Sequence, residues 1–397
     1  MASAPAGMPV SDIDPYGPEY LNDPYRFHDE LRDAGPAVWL SKYDVVVLAR
    51  YRDVKAALED PQTFCSRRGV GLADFEKEEP WRPPSIILEA DAPLHTRTRA
   101  VLSQAMSRSA IAALAPTFDM RADTLIAELL QRGRVDGVKD LAEAYPLSVF
   151  PDAVGVTEQG RENLLPYGDM AFNAFGPRND LFEKSFANAQ VVAAWIASQC
   201  ERRNLDPDGI GASIYAFVES GDVNEEEAGL LVRSLLTAGL DTTIFGIGAA
   251  LFCLATHPQQ WEALKSEPRL VRATFTEVLR YLSPAQCFYR TTTTSYRGDD
   301  FVIPADQKVL LHLAAANRDP RHWQAPDEFD IRRRGVGHVG FGYGVHMCVG
   351  QQIARLEGEA VLKALCRQVD TIELNGEPVR RINNTLHGFD ALPMRLS

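Results

Sequence analysis

The stretch 341 to 355, Phe-Gly-Tyr-Gly-Val-His-Met-Cys-Val-Gly-Gln-Gln-Ile-Ala-Arg, restricts the fold of this chain more than any other. Gly342 and Gly344 let the backbone turn sharply and approach a flat partner closely, where residues with a Cβ are held off. Gly350 does the same one turn later. From there Ile353, Leu356, Ala360, Val361 and Leu365 recur at helical spacing. Cys348 therefore stands just before or at a helix N-terminus, where backbone N–H groups favour a thiolate. A thiolate held there is a ligand or a nucleophile; the ordinary alternative for a lone cysteine is a buried structural residue. A nucleophile needs a base, and spacing alone does not turn His346 toward the sulfur. No nucleophile-elbow or cysteine-protease signature surrounds the site, and the chain has no C-x-x-C pair for zinc.

A single thiolate can be the only protein ligand of a haem iron, pushing electron density onto it to favour O–O cleavage. The pattern F-G-x-G-x-H-x-C-x-G followed by Ala354-Arg355 resembles the haem-binding loop of the cytochrome P-450 monooxygenases at every fixed position. The resemblance implies a mainly α cytochrome P-450 fold, helix-rich with a small β-rich region. In that fold haem b lies between a long central helix and the cysteine-loop helix. Cys348 is then the axial thiolate and iron ligand, with Phe341 and Gly342 beside it. The resemblance extends over residues 14 to 396, which implies one such domain over 14–397 behind a flexible tail, 1–13.

Composition agrees with a large soluble unit. The chain has 397 residues, 45% hydrophobic and 24% charged, enough for a sizeable core. Its net charge of −13 argues against nucleic acid as partner. The six cysteines are scattered without a disulfide-framework spacing, which favours a reducing compartment. Met1 to Val10 has neither a basic region nor an apolar run, so no signal peptide is expected. The apolar stretch Ala228 to Thr256 is long enough for a membrane span but carries Arg233, Asp241 and glycines. It reads as a helix buried in protein, in a cytoplasmic, membrane-free chain.

Periodicity places a short helix over Tyr25–Leu31, a hairpin from Ala37–Leu40 and Val45–Leu48, and a helix over Tyr51–Leu58. Phe64 to Pro84 is rich in loop residues. A predominantly helical middle runs from Ser107 to Gln199. Asn224 with Glu227 three residues on reads as a capping box, opening a helix that proline stops at His257-Pro258. Near its centre Gly239 and the pair Thr242-Thr243 are able to loosen the hydrogen-bond ladder.

Ala238-Gly239-Leu240-Asp241-Thr242 is similar to the family's A-G-x-D-T. The resemblance implies that Ala238 and Gly239 leave room for dioxygen, that Thr242 supplies a hydroxyl beside it, and that Asp241 relays protons. His95 and Arg99, four apart on one helical face, read otherwise as a surface cation pair. The resemblance makes them, with Arg290 and His346, partners of the haem propionates. Glu277 and Arg280 form an i, i+3 pair that with Arg318 is implied to buttress the cysteine loop. Arg332-Arg333-Arg334 reads as a solvated run or a basic docking spot.

Ser234, Ala238, Asp241 and Thr242 fall at i, i+4, i+7 and i+8, so the Ser234 hydroxyl stands about two turns above the oxygen site. Arg82, Ser85 and Ser234, with Arg233 adding positive field, are able to hold a carboxylate at the far end of a small pocket. The alternative is that these arginines pair with surface acids. The chain resembles the bacterial cytochromes P-450 that oxidise para-substituted benzoates such as 4-methoxybenzoate. This likeness implies O-demethylation or hydroxylation, with Phe172, Phe175 and Phe288 flanking the ring. Ala285, Cys287 and Gly388-Phe389 are positions at which the pocket can differ, leaving a cinnamate or another aryl acid as an alternative. Electrons are expected from a [2Fe-2S] or similar ferredoxin with its NAD(P)H-dependent reductase, because the chain lacks the four-cysteine arrangement of an Fe–S cluster. O2 is the co-substrate, and a monomer is expected. A peroxide-driven peroxygenase and a non-catalytic haem sensor are the competing functions.

Overall fold

The computed structural model describes residues 4–397. The protein is mainly helical, with a six-stranded sheet at one side. The expected hairpin forms from Val38–Leu40 and Val45–Leu48, paired antiparallel. Lys308–Leu311, Phe288–Thr292 and Phe64–Cys65 extend the sheet beyond it. Val10–Ser11, expected within a loose tail, is instead a strand: it pairs in parallel with Trp39 and Leu40. The exposed edge of the hairpin offers the unpaired backbone groups that order it. Residues 1–3 of that tail lie outside the described residues.

Alternation along Phe288–Thr292 sends neighbouring side chains to opposite faces. Tyr289, with Cys287 just ahead of it, joins the cluster of Tyr16, Leu31 and Leu40. Phe288 and Arg290 point the other way. Cys287 therefore does not enlarge a pocket beside Phe288. Gly388-Phe389 also packs into the interior: the Phe389 ring lies tilted against Phe252 with centroids 4.7 Å apart, and a Cβ on Gly388 would overlap the Phe245 ring.

The apolar stretch becomes two consecutive helices, Glu225–Ala238 and Asp241–Thr256. The first opens on the capping box: Asn224 Oδ1 accepts from Glu227 N at 2.8 Å, and Glu227 Oε2 from Asn224 N at 3.0 Å. The expected unbroken helix is interrupted at Gly239-Leu240. There Thr242 Oγ1 donates to Ala238 O at 2.9 Å, putting a hydroxyl on a helix carbonyl. The stretch 225–256 is apolar enough to cross a membrane, yet 72% of its most apolar window is buried inside the protein. It packs on the π-helical turn Gly137–Glu143 and on the helices Val271–Tyr281 and Gln351–Gln368. It is a core helix.

The Glu277–Arg280 pair is fully buried and bidentate, with both contacts at 2.8 Å. Arg280 also donates to the carbonyls of Asn317, Pro326 and Glu328, which line the approach to the cysteine loop. The third member is not the expected Arg318. That residue donates to Tyr281 O and lies between the rings of Tyr25 and Tyr281. Arg333 takes the place instead, with Nε 3.0 Å from Glu277 Oε1. The arginine run is thus no uniform basic patch: Arg333 is drawn inward, Arg332 pairs with Glu267 at 2.6 Å, and Arg334 is exposed. Arg280→Ala leaves Glu277 buried with one cation fewer. It should lower stability by about 3–5 kcal/mol, read as a drop in the denaturation midpoint of the haem-loaded protein.

Candidate active site

Two glycines shape the cysteine loop. Gly342 (φ 71°) and Gly344 (φ 68°) take left-handed conformations that side chains resist. A Cβ on Gly344 would also overlap Leu58 O. Gly350 does not share this role; its φ of −80° is ordinary, and it caps the helix Gln351–Gln368. Cys348 N donates to Phe341 O at 2.8 Å, closing the loop. Burial raises the Cys348 thiol, while N–H groups of Gly350 and Gln351 and the charge of Arg99 pull it down. The expected position at a helix N-terminus is realised.

Four donor groups gather on this side. His95 and Arg99 lie on the helix Leu94–Ala105, Arg290 on the sheet, and His346 in the cysteine loop. The rings of His95 and His346 are 4.1 Å apart. Burial lowers His95, and the neighbouring Arg99 lowers it further. His346 is pushed down to about 3 by burial and then by Arg290, His95 and Arg99. Burial also takes Arg290 down to about 10. Among the described residues none of the four forms an ion pair. Arg99 donates to Met347 O and Arg290 to Tyr289 O, His346 Nε2 meets Ser66 Oγ, and buried His95 Nε2 has no partner. The nearby Asp91 is already engaged by Ser66 N and Arg67. Buried Arg290, half-buried Arg99 and the two imidazoles, with no carboxylate of their own, fit an external dianion. Haem carries one as its two propionates.

At the interruption of the long apolar helix, Ala238 is exposed and Thr242 half-buried. Gly239 does not line open space as expected. A Cβ there would overlap the Phe150 ring, so this glycine serves helix packing. Asp241 also leaves the face shared by Ser234, Ala238 and Thr242. It turns beneath Gly168 of the helix Leu164–Asn173, where a Cβ would overlap its Oδ2. Burial lifts its carboxyl to about 7 against the opposing pull of Arg381, with Asp169 adding to the rise.

Ser85 Oγ, from the loop before the helix Leu94–Ala105, and Ser234 Oγ are 3.0 Å apart. Arg82 is buried and pairs at 3.0 Å with Glu89, an interior acid rather than a surface one. The same Glu89 oxygen accepts from Ser85 N at 2.7 Å. Arg233 Nη2 donates to Pro83 O at 2.7 Å and so fixes the proline loop. Two guanidiniums thus stand against one carboxylate, and buried Arg82 Nε has no partner. Phe172, Phe175 and Phe288 form an edge-to-face series with centroids 5.9 and 5.8 Å apart.

Glu89, Asp169 and Arg381 escaped the sequence reading, as did the inward pairing of Arg333. Glu89 stands in a bend, Asp169 in the helix Leu164–Asn173, Arg381 at the end of a strand and Arg333 within a run of arginines, and each gains meaning only from the partner that packing brings to it. Phe172 and Phe175 were legible from their i, i+3 spacing.

A glycine-shaped cysteine loop at a helix N-terminus, beside cationic and imidazole donors that have no carboxylate of their own, fits a haem-thiolate protein. The Cytochrome P450 family model matches residues 197–393. The chain is 54% identical over 393 residues to cytochrome p450 CYP199A2 of Rhodopseudomonas palustris, covering 99% of this chain and 95% of that protein. It is 32% identical over 392 residues to the beta-dihydromenaquinone-9 omega-hydroxylase of Mycobacterium tuberculosis, covering 97% and 78%. The solved cytochrome P450 CYP109Q5 of Chondromyces apiculatus superposes with a TM-score of 0.82 at 29% identity, covering 97% and 98% of the two chains. The chain belongs to the cytochrome P450 family and is a haem-thiolate monooxygenase of it.

The Asp241 carboxyl has a consequence for stability. Between the ordinary 3.8 and about 7 the folded state keeps a proton that the unfolded state has released. Stability therefore falls as pH rises through that window. Asp241→Asn removes this dependence, so its stability relative to the parent should increase from about pH 4 to about pH 7, by on the order of 2–4 kcal/mol, in denaturation curves.

Proposed function

We propose that this cytochrome P450 inserts one oxygen atom of O2 into a small aromatic carboxylic acid, by oxidative O-demethylation or hydroxylation of para-substituted benzoates. The observation that carries the reading is the charge balance around Ser85 and Ser234. Arg82 and Arg233 outnumber Glu89 by one charge, and the Ser85–Ser234 hydroxyl pair sits beside them. A carboxylate supplies the missing charge and accepts the hydroxyl protons. Phe172, Phe175 and Phe288 then enclose an aromatic ring, for which edge-to-face contacts are suited.

Haem bound through Cys348 supplies the oxygen-activating chemistry and the thiolate push. His95, Arg99, Arg290 and His346 hold its propionates, with Phe341 and Gly342 beside the sulfur. Thr242 presents a hydroxyl toward the reacting side, and Asp241, poised near neutrality, takes up and releases protons to it. Ala238 keeps its small side chain where dioxygen must fit. Reducing equivalents come from a ferredoxin and its reductase, and the protein works in the cytoplasm as a monomer. The Asp241–Thr242 pair favours this over a peroxide-driven cycle, which has less need of proton relay.

The acid and its methyl ester separate the readings. A para-methoxy benzoate should shift the haem absorption band with an affinity about tenfold to a hundredfold higher than its ester, the size of a lost charge-assisted contact. Equal affinities would overturn the carboxylate end. Thr242→Ala should keep the acid's spectral shift while diverting reducing equivalents to peroxide. Cys348→Ser should abolish the carbon-monoxide difference band of the ferrous thiolate haem.

A further inference from the structure

The edge-to-face series of Phe172, Phe175 and Phe288 is assembled from two separate stretches of chain, so its geometry depends on what joins those stretches. Phe172 and Phe175 lie where the helix Leu164–Asn173 ends, and Phe288 opens the strand Phe288–Thr292. A helix end leaves its last carbonyls without partners inside the helix. Here other parts of the chain take them. Thr385 Oγ1 donates to Phe172 O at 2.8 Å and Asn384 Nδ2 to Asn173 O at 2.9 Å. Just beyond the helix, Leu72 N donates to Phe175 O at 2.8 Å.

These donors belong to two bridges, each of which also grips the strand of Phe288. The first is the buried segment 384–387. Asn384 N donates to Asn173 Oδ1 at 3.0 Å, and the amides of Asn384 and Asn179 bond each other in both directions at 2.9 and 3.0 Å. On its other edge Gln286 N donates to Thr385 O at 3.1 Å, His387 N donates to Pro284 O at 2.8 Å, and Leu386 pairs with Ala285, two residues before Phe288 is reached from Gln286. The second bridge is Val70–Leu72. Val70 O accepts from Tyr289 N at 2.8 Å, and a Cβ on Gly71 would overlap the Phe175 main chain. Lys308, buried on the neighbouring strand, fixes this loop by donating to Arg68 O and Gly69 O, each at 3.0 Å. A buried amide or ammonium is tolerated only where its hydrogen bonds are made, so each bridge favours one geometry.

We propose that Asn384, Thr385 and Lys308 are positioning residues for para selectivity: they hold the main chain of Phe172, Phe175 and Phe288 in one register, and the rings so placed accept a para-substituted ring and turn away its meta isomer. The inference rests on the reading that these three rings enclose an aromatic acid. None of the three positioning residues needs to touch the substrate. They act through the carbonyls of Phe172, Asn173, Arg68 and Gly69, and those carbonyls set where the rings stand. Edge-to-face contacts depend on the angle and offset of the rings, so a shift in register between Phe175 and Phe288 alters the fit of one isomer more than the other.

The test uses the full-length, haem-loaded protein and titrates its haem absorption band with 4-methoxybenzoate and with 3-methoxybenzoate. The readout is the ratio of the two affinities, which a general loosening of the fold would leave in place by weakening both acids together. Thr385→Val keeps the side-chain volume and removes only the hydroxyl that donates to Phe172 O. It should lower the para-to-meta ratio by about threefold to tenfold, and Thr385→Ser, which restores the hydroxyl, should return the ratio to that of the parent. Lys308→Met, at the other bridge, should lower the ratio by a similar factor. Asn384→Ala should do the same; if that variant does not fold, the other two decide. A ratio unchanged in Thr385→Val or in Lys308→Met, or failure of Thr385→Ser to restore it, overturns the proposal. Affinities for both acids unchanged in Phe175→Ala would instead remove the aromatic reading beneath it, a distinguishable failure.

Discussion

A protein interior does not tolerate donors without acceptors, and the organisation of this molecule follows from one such imbalance. His95, Arg99, Arg290 and His346 arrive from a helix, a strand and a loop remote from one another in the chain, and bring no carboxylate with them. A bound dianion would offset the desolvation of the two guanidiniums. Arg290 shares its face of the strand with Phe288, while Tyr289 on the other face secures the sheet to the N-terminal segment.

The loop that carries Cys348 is held by a second polar network. Glu277, Arg280 and Arg333 form a buried charge triad whose remaining donors satisfy carbonyls along residues 317 to 328. Such a network is poor as a source of stability and good as a source of register. It acts on a loop whose glycines have no intrinsic preference for the conformation observed. Position is thereby supplied from outside the loop, and the sulfur is placed relative to the helix Gln351–Gln368 without depending on the loop's own stiffness.

Two charge clusters beside the interrupted helix are balanced differently. Burial pushes the Asp241 carboxyl up to about 7, next to a helix break where a threonine hydroxyl occupies a carbonyl. Around Ser234, Arg82 and Arg233 stand against the single carboxylate of Glu89, which leaves one positive charge in surplus without leaving two cations unpaired.

Local patterns were legible from the chain alone. The capping box at Asn224, the hairpin, the helix after Cys348 and the loosened ladder at Thr242 all follow from spacing, because each depends on helical or strand periodicity. The family motifs marked the haem side for the same reason: their residues lie close together in sequence. Partner choice was another matter. Glu277 takes Arg333 rather than Arg318, Arg82 takes Glu89, Gly239 makes room for Phe150, and Asp241 turns from the Thr242 face to lie beneath Gly168. A charged side chain pairs with whichever opposite charge the packing brings within about 4 Å, and a glycine yields to whichever ring is pressed against it. Those neighbours are set by helices crossing from distant parts of the chain, so only the tertiary structure decided them.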